Sequence, residues 1–382
     1  MTTSARWFAI FGGSVGLAVG ALLGIYAISR PLPPLLAGDK IKNTLTLVAD
    51  WQLSHMVKRS SQESEQETGW VQASFYIGLA RLAAISNDTR YFEVIRKLGQ
   101  RNDWQIGPRL YHADDQAIGQ VYAAAFDRYA DLRMISPMVA RFDQVLSNKP
   151  KVTLNFDQTQ ECLQRWCWCD ALFMAPASWM AASRITGDRR YRDYADTEYW
   201  ATKDFLFDQD EHLFYRDSRF LDQRGPNGEK IFWSRGNGWV FAGLINVLRE
   251  LPRDHFSRAR YETLFIEMAD KLLTRQLQDG FWSTSLMSPP ESSVSESSGT
   301  ALFIYGMASG VNLGLLSRER FAPAAVRGWN GLARVIDADG RLGRVQQIGD
   351  RPGPVEADGS QFYGSGALLL AGTAIKTLIE SE

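Results

Sequence analysis

The 382-residue sequence has no large excess of charge of either sign and very few cysteines. Its 42 Lys and Arg residues balance 43 Asp and Glu residues, so the chain carries no overall basic field that would attract nucleic acid or anionic lipid. Three cysteines, Cys162, Cys167 and Cys169, are too few for a disulfide-dense scaffold, and their odd number excludes complete intramolecular pairing. The sequence therefore indicates neither a nucleic-acid-binding protein nor a small disulfide-stabilised domain.

Motifs for cofactors and metals are also missing. The sequence contains no G-x-G-x-x-G, P-loop or G-x-S-x-G element, so nucleotide cofactors and serine-hydrolase chemistry have no support. The C-x4-C-x-C spacing of the cysteines has no nearby fourth thiolate or pair of histidines. We therefore expect neither a cofactor nor a metal.

Aromatic residues, by contrast, are abundant: 12 Trp, 13 Tyr and 20 Phe. Most of them are expected in the core, because aromatic side chains dominate protein cores in general. Flat rings with a polar edge are also the surfaces on which sugar rings stack. The composition is otherwise that of an ordinary globular protein, with 45% hydrophobic and 22% charged residues.

The N-terminus contains a long uncharged stretch, 22 residues from Trp7 to Ile28. About 20 apolar residues span a bilayer as a helix, so this stretch predicts a transmembrane anchor with the rest of the chain exported. A cleaved signal peptide is the alternative, because Ala27-Ile28-Ser29 loosely resembles a cleavage site. Glycines recur every fourth residue of this stretch, at Gly12, Gly16, Gly20 and Gly24, and would form a seam along one side of the helix. Such a seam allows two helices to pack closely, so a homodimer is one interpretation; the other is that glycine is simply common in spanning helices.

The rest of the chain is predicted to be one domain. Residues 1–30 are assigned to the anchor or signal segment, 31–39 to a proline-containing linker and 40–382 to a single folded domain. Helical apolar spacing dominates the domain, and convincing alternating strands are few. The predicted helices include Ile41 to Met56, Gly69 to Ala84, Gln116 to Tyr129, Ala171 to Ile185, Val240 to Leu251 and Arg260 to Leu277.

A repeat supports an all-α fold. The segments Ser86 to Tyr91 and Thr186 to Tyr191 each follow an apolar helix and open an amphipathic one, and their tyrosines are 191 − 91 = 100 residues apart. In each, a Gly or Asn in left-handed conformation ends the first helix and an Asp caps the next. Helical hairpins of roughly 50 residues fit this period. Because no polar capping repeat is evident at either end, the pattern predicts a closed (α/α)6 barrel more than an open solenoid.

Loops at one end of such a barrel would form a pocket. Asp170 follows two indoles and precedes an apolar helix, so it is predicted to be desolvated and suited to act as a general acid. The alternative, which the spacing supports equally, is that Asp170 caps the N-terminus of the following helix. Asp114 and Asp115 lie at another predicted helix start, where one can cap while the other faces the pocket. Paired carboxylates on different loops are the usual equipment for attacking a glycosidic linkage.

Two further side chains point to ligand binding. Arg235 is flanked by Trp233 and Trp239 in a glycine-rich segment, where a guanidinium would bind a carboxylate beside a stacking surface. Pairing of Arg235 with a structural Asp is the alternative. His212 is one of four histidines and is a weak signal alone, since a lone histidine is more often structural.

Several long motifs in order resemble glycoside hydrolase family 105, the unsaturated rhamnogalacturonyl hydrolases, which are relatives of the unsaturated glucuronyl hydrolases of family 88. The resemblance covers nearly everything after the linker. It rests on His112 to Asp115, Ile118 to Gln120, Trp168 to Pro176, Glu198 to Thr202, Glu211 to Asp217, Phe232 to Val240 and Ser297 to Ala301.

The resemblance implies an (α/α)6 barrel and an unusual reaction. The substrate is an oligosaccharide whose non-reducing uronate carries a C4=C5 double bond left by a lyase. The family aspartate protonates C4, water adds at C5, and the hemiketal opens and expels the rest of the sugar. The rule that relates carboxylate separation to stereochemical outcome therefore does not apply.

Site residues follow from the matching motifs. By its motif, Asp170 resembles the general acid/base of the family. Asp115, or otherwise Asp114, resembles the partner carboxylate. The remaining matches imply substrate-binding residues: Trp70, Asp114, Met174, His212, Trp233 and Arg235. At Cys167 the family more usually has an aromatic residue, so the wall beside Asp170 is expected to differ.

Two other functions compete with this interpretation. An ordinary glycosidase on the same barrel would attack C1 of a saturated uronide, and isotopically labelled water would distinguish the two reactions. A membrane-tethered carbohydrate-binding protein would keep the pocket without activity, but the intact Asp170, His212 and Trp233 to Arg235 segment argue against it.

Overall fold

A computed structural model describes residues 38–56, 62, 65–86 and 88–381. From Gly38 onward the described chain forms one compact unit. The anchor predicted over residues 7–28, its glycine seam and most of the predicted linker lie outside the described residues.

Helices account for most of the described residues, as the sequence predicts. They are α1 (Gly38–Ser54), α2 (Trp70–Ile85), α3 (Arg90–Arg101), α4 (Ala113–Gln116), α5 (Gly119–Tyr129), α6 (Ser136–Ser147), α7 (Ala171–Met174), α8 (Pro176–Thr186), α9 (Arg189–Leu206), α10 (Ser234–Glu250), α11 (Arg258–Leu273), α12 (Ser297–Asn312), α13 (Arg318–Ala333) and α14 (Phe362–Glu380). The helix predicted from Ala171 to Ile185 is divided before Pro176, because proline has no N–H to donate to the preceding turn.

Four strands of two residues each occur in the described chain. Strand β1 (Phe207–Asp208) pairs antiparallel with β2 (Leu213–Phe214), with Phe207 opposite Phe214. Strand β3 (Trp282–Ser283) pairs antiparallel with β4 (Ser295–Glu296), with Trp282 opposite Glu296. Both hairpins lie in connections between helices.

Within the described chain, six helices form a closed ring. In order around the ring they are α2, α5, α8, α10, α12 and α14, and α14 packs against α2. Outside them, α1 packs on α14, α3 on α2, α9 on α8, α11 on α10 and α13 on α12. This alternation of inner and outer helices is consistent with the predicted helical barrel.

Burial distinguishes the two layers. In the inner helix α10 every residue from Ser234 to Leu248 is buried. In the outer helix α3 the buried positions are Tyr91, Ile95, Leu98 and Gly99, which is a single stripe at helical spacing. The inner ring therefore forms the core, and the outer helices cover it with one face each.

Two glycines bring the first and last inner helices together. A Cβ atom on Gly78 would lie 2.2 Å from the carbonyl oxygen of Gly366, and a Cβ on Gly366 would lie 2.2 Å from the carbonyl oxygen of Ser74. Only glycine permits this close approach of two helix backbones. The ring closes at this contact.

The sequence repeat has a matching structure at the starts of α3 and α9. Asp88 and Asp188 accept hydrogen bonds from the backbone N–H groups of Arg90 and Arg190, at 3.0 and 2.9 Å. The tyrosine that follows donates to a carboxylate on another helix in each case, Tyr91 to Asp50 on α1 and Tyr191 to Asp143 on α6. Gly187 ends α8 in the left-handed conformation with φ 78°, as predicted.

Among the described helices, one, α14, is long and apolar enough to cross a membrane. Most of it is buried against α2, α12 and α1. Its apolar sequence is accounted for by its position in the inner ring.

Candidate active site

The N-terminal ends of the inner helices meet at one end of the ring. Ser234 of α10 lies against Gly299 of α12, and Trp70 of α2 stacks on Tyr363 of α14 with ring centroids 5.4 Å apart. Helix N-termini carry partial positive charge and unpaired N–H groups, so this end, which we call the mouth, favours a negatively charged ligand.

Asp170 lies at the mouth, immediately before α7. Its side chain is 11% exposed. Asp170 occupies the N-cap position of α7, but its side chain makes no capping hydrogen bond to a described backbone group. The thiol of Cys169 donates to its Oδ2 at 3.5 Å, and Arg216 Nε lies 3.4 Å from the same oxygen. Burial raises the pKa of Asp170, and the positive charge of Arg216 opposes that rise.

Asp114 is the second carboxylate that interacts with Asp170. Its side chain is 18% exposed, and burial, followed by the charge of Asp170, raises the pKa of Asp114 to about 7. Two desolvated carboxyl groups that repel one another titrate as a pair, and the pair retains a proton to higher pH than an isolated aspartate. The mouth therefore holds an exchangeable proton near neutral pH.

Asp115, the partner carboxylate that the sequence motifs favour, lies in a different environment. Its carboxylate accepts hydrogen bonds from the backbone N–H of Arg109 at 2.6 Å and from the Nε of Arg109 at 3.0 Å. A Cβ atom on Gly107 would lie 2.4 Å from the carboxyl carbon of Asp115. Asp115 is thus held inside its own loop, and Asp114 is the member of the pair that interacts with Asp170.

His112 supports this arrangement from the N-terminus of α4. Its Nδ1 accepts a hydrogen bond from the backbone N–H of Asp114 at 3.3 Å, and its ring lies 5.0 Å from that of Trp168. Burial, together with the charges of Arg109 and Arg216, lowers the pKa of His112 to about 3. The imidazole is therefore neutral and carries its hydrogen on Nε2.

Arg216 is the site residue that sequence reasoning missed. The backbone carbonyl of Arg216 accepts from the N–H of Cys169 at 2.8 Å, which brings its side chain beside Asp170. Its Nη1 donates to Asp217 at 2.8 Å, and its side chain is 16% exposed. Burial opposes the charged form, but the charges of Asp170 and Asp217 raise the pKa of Arg216 above its ordinary value.

Arg235 is not placed as an open clamp for a carboxylate. Its Nη1 donates to the carbonyl oxygen of Gln346 at 2.6 Å and its Nη2 to that of Gln347 at 2.9 Å. The guanidinium lies between the rings of Trp233 and Tyr363, at 4.5 and 4.7 Å, and the residue is 1% exposed. Arg235 therefore fastens the 346–347 loop to the mouth, close enough to Asp170 for its charge to lower the pKa of that carboxyl.

The two tryptophans predicted to bind substrate differ in exposure. Trp233 is 2% exposed, its Nε1 donates to Gln346 at 2.9 Å, and Arg235 covers one face, so it is no open stacking surface. Trp70 is only partly buried and stacks on Tyr363 at the N-terminus of α2. The partial exposure of Trp70 leaves the prediction of a stacking surface at this indole open.

Two other predicted binding residues lie away from the exposed mouth. Met174 is 1% exposed at the end of α7, one turn below Asp170, and is part of the core. His212 has φ 51° in the turn between β1 and β2, and its Nδ1 lies 3.8 Å from Glu267 on the outer helix α11. In the motif that contains His212, the residue beside Asp170 is Arg216.

A disulfide shapes the segment before Asp170. Cys162 and Cys167 are bonded, and Cys169 is a buried free thiol. Burial, and then the charge of Asp170, raises the pKa of the Cys169 thiol, so the group stays protonated and donates to the carboxylate. Cys167, where the sequence departs from the family motif, thus replaces an aromatic wall residue with a covalent link.

Comparison with known proteins gives a consistent result. The profile of Glycosyl Hydrolase Family 88 matches residues 44–379. An "Unsaturated 3S-rhamnoglycuronyl hydrolase" from Alteromonas sp. (strain LOR) is 38% identical over 361 residues, 90% of this chain and 87% of that protein. A protein of the same name from Formosa agariphila is 36% identical over 351 residues, 90% of this chain and 92% of that one.

The fold has solved counterparts. The structure of a "Glycosyl hydrolase family 88 from Bacteroides vulgatus" superposes with a TM-score of 0.80 at 26% identity, over 90% of this chain and 99% of that chain. This agrees with the resemblance drawn from the sequence motifs, which named families 105 and 88 together.

Proposed function

The chain belongs to glycosyl hydrolase family 88, and from that premise we propose that it removes a 4,5-unsaturated uronic acid from the non-reducing end of lyase-generated oligosaccharides. The catalytic domain is an (α/α)6 barrel over residues 40–382. One observation carries the proposal: Asp170 and Asp114 are desolvated, interact with one another and lie where the inner helices begin. A proton donor is thereby held beside an anion-binding mouth.

The reaction begins with protonation of C4 by Asp170. Protonating a vinyl ether at C4 places positive charge on C5 and the ring oxygen, and water then adds at C5 with loss of its proton to the carboxylate pair. The hemiketal opens, so C5 becomes a ketone and C1 a hemiacetal. The hemiacetal expels the rest of the oligosaccharide as an alcohol.

Asp114 is proposed as the partner carboxylate. Its negative charge near Asp170 favours retention of the proton that the reaction consumes, and its raised pKa suits it to accept a proton from water. Asp115 does not take this role, because its carboxylate is engaged by Arg109.

Arg216 is proposed to bind the carboxylate of the unsaturated uronate. Its Nε makes no hydrogen bond to a described residue although it is buried, and it lies 3.4 Å from Asp170. A guanidinium matches a carboxylate in charge and in planar geometry. Trp70 supplies the stacking surface for the ring.

The sugar attached to the uronate is proposed to be rhamnose. The two relatives above carry rhamnoglycuronyl in their names, and they share 38% and 36% of their residues with this chain. The sequence motifs resemble enzymes that act on unsaturated rhamnogalacturonan fragments, which also contain rhamnose.

A substrate panel tests the proposed function. We expect the purified protein to abolish the ultraviolet absorbance of unsaturated uronyl-rhamnose disaccharides, because the reaction removes the C4=C5 bond. The matched control is the same set of disaccharides with saturated uronates, from which no rhamnose should be released. If rhamnose were released from the saturated disaccharides while the double bond of the unsaturated ones stayed intact, the protein would be an ordinary glycosidase.

We further propose that residues 7–28 anchor the protein in a membrane and that the barrel lies outside the cytoplasm. The uncharged stretch supports the anchor, and the Cys162–Cys167 disulfide supports an oxidising compartment. The glycine seam would allow two anchors to pack as a homodimer.

Fractionation tests the anchor. Full-length protein is expected in the membrane fraction, and a variant that lacks residues 1–37 is expected to be released as an active enzyme, because the compact unit begins at Gly38. Cross-linking should give a dimer for the full-length chain and none for the shortened one. Full-length protein found in the soluble cytoplasmic fraction would contradict the anchor.

A further inference from the structure

The C-terminal ends of the inner helices lie at the end of the ring opposite the mouth. Arg184 of α8 donates to Asp127 of α5 at 2.9 Å and to Glu250 of α10 at 2.7 Å, so the ends of three neighbouring inner helices meet there. The connections that lead from α2, α5, α8, α10 and α12 to the next outer helix lie at the same end. We call these helix ends and connections the base.

Large apolar side chains are exposed at the base. Phe256, after α10, is 79% exposed and Leu132, after α5, is 62% exposed, and these are the two most exposed large apolar residues of the described chain. Ile85 at the end of α2 and Leu313 after α12 are exposed as well. Because the four residues follow four different inner helices, they are spread around the base and are not gathered in one groove. Such a surface suits a broad, flat partner.

The base also carries an excess of positive charge, although the whole chain has a net charge of -1. Residues 183–192 contain four arginines and one aspartate, and residues 248–260 contain four arginines and two acidic residues. Arg189 and Arg253, one from each segment, are exposed and form no ion pair within the described chain. Exposed arginines beside exposed apolar side chains are the combination that binds the head-group region of an anionic bilayer.

The described chain begins at the base. A Cβ atom on Gly38, the first residue of α1, would lie 2.9 Å from the Oε1 of Glu380 at the end of α14. Residues 29–37 separate Gly38 from the proposed anchor, and a segment of this length spans at most about 35 Å when fully extended. The mouth lies farther along the chain's path than Gly38 by the length of an inner helix, about 25 Å for the 17 residues of α10. The base is therefore the end of the barrel that the anchor holds near the bilayer.

We propose that the base rests on the surface of a bilayer that contains anionic lipid, with Phe256 and Leu132 inserted among the head groups and the mouth facing away from the membrane. This inference rests on the anchor of the proposed function. The anchor keeps the base close to the lipid, so contacts that are individually weak act at a high effective concentration. In this orientation the mouth is open to oligosaccharides that arrive from solution, and the bilayer does not obstruct them.

A polarity-sensitive fluorophore on a single introduced cysteine tests the orientation. Phe256→Cys places a thiol at the base, and the native cysteines do not compete for the label, because Cys162 and Cys167 are bonded and Cys169 is buried. In full-length protein reconstituted into vesicles of phosphatidylcholine and phosphatidylglycerol, we expect blue-shifted emission that brominated lipid quenches. The control is Ile348→Cys, an exposed apolar position in the loop that Arg235 holds at the mouth, which should emit as it does in water.

The variant that lacks residues 1–37 tests the surface without the anchor. We expect it to sediment with vesicles that contain phosphatidylglycerol, more weakly as salt is added, and not with pure phosphatidylcholine. Replacing Phe256 and Leu132 together by serine should weaken this binding by about ten-fold or more, because two exposed apolar side chains no longer leave water. Replacing Arg189 and Arg253 by serine should weaken it by about ten-fold. Leu47→Ser, at an exposed position on the outer helix α1, is the control and should stay within about two-fold.

Unchanged turnover of a soluble unsaturated disaccharide by the serine variants would show that the barrel is still folded. Full-length protein that fractionates with membranes but gives the same emission at positions 256 and 348 refutes the inference alone, whereas full-length protein in the soluble fraction refutes the proposed anchor. The other partner for this surface is a second copy of the chain. If the variant without residues 1–37 forms a dimer that Phe256→Ser dissociates, and Phe256→Ser leaves vesicle binding unchanged, the base is a dimer interface and the inference is wrong.

Discussion

Replacing Asp170 by asparagine is expected to lower kcat by about two orders of magnitude or more, the usual scale of general acid–base catalysis. An amide has the shape of the carboxyl group but cannot deliver a proton to C4. The variant should still fold, because the Asp170 side chain makes no capping bond to a described backbone group. It should also bind the unsaturated disaccharide, since Arg216 and Trp70 remain.

Stability provides the control for this variant. Burial raises the pKa of Asp170 above its unfolded value, so the folded state binds the proton more tightly and loses stability as pH rises through that range. A neutral amide does not pay this penalty. The free energy of unfolding of Asp170→Asn, measured in urea at pH 8, should therefore be no lower than that of the wild type.

The product formed in heavy water identifies the proton transfer. The wild type should place deuterium at C4, because the exchangeable proton of the carboxylate pair is the one delivered. Near-normal turnover by Asp170→Asn, or a product without deuterium at C4, would contradict the assignment. The second result would also exclude hydration as the mechanism.

Two neighbouring variants separate the adjacent aspartates. Asp114→Asn removes a negative charge that interacts with Asp170, so the alkaline limb of the kcat profile should move to lower pH. Asp115→Asn should instead lower the free energy of unfolding, because its carboxylate holds Arg109. The reverse pattern would return the partner role to Asp115.

The sequence predicts the fold well because the fold depends on local patterns. The apolar periodicity of the inner helices and the capping segments around Asp88 and Asp188 are properties of short stretches of chain. Asp170 was identifiable for the same reason, since its indole neighbours and the following helix are adjacent in sequence. Division of one predicted helix at Pro176 is also a local effect, but apolar periodicity does not report it.

The contacts that set the environments of Asp115 and Arg235 join segments that the sequence motifs treat separately. Whether Asp114 or Asp115 reaches the mouth is decided by Arg109 and by the space that Gly107 leaves. The motif predicts an Arg235 that is open to substrate, but its Nη1 and Nη2 donate to the carbonyl groups of Gln346 and Gln347, 111 and 112 residues away, while its buried Nε has no hydrogen-bond partner among the described residues. No local pattern reports such pairings.

Arg216 was missed for a related reason. Histidine is rare in this sequence, so His212, four positions earlier, is the more conspicuous residue of the motif. The backbone hydrogen bond between Cys169 and Arg216 nevertheless brings the arginine to Asp170. The sequence does offer one signal: Arg216 and Asp217 are consecutive charged residues that follow three buried residues, Leu213, Phe214 and Tyr215. Charges in such a position require partners, which often lie in a site.

Removing the Arg216 guanidinium is expected to have the second largest effect on activity. Loss of one partner of a desolvated, hydrogen-bonded charge pair costs about 2–5 kcal/mol, so Arg216→Ala should lower kcat/KM for unsaturated uronides by about two orders of magnitude. The fold should be retained, because Arg219 still pairs with the buried Asp217. Arg216→Lys, which keeps the charge, should recover part of the loss.

The pH profile distinguishes substrate binding from a structural role for Arg216. The charge of Arg216 lowers the pKa of Asp170, so its removal should raise that pKa and move the alkaline limb of kcat to higher pH. This shift is opposite to the one expected for Asp114→Asn. Arg235→Ala, which frees the 346–347 loop, should mainly lower the free energy of unfolding. If Arg216→Ala lost stability and kept both its KM and its pH profile, Arg216 would be a structural residue, and the substrate carboxylate would be bound elsewhere in the mouth.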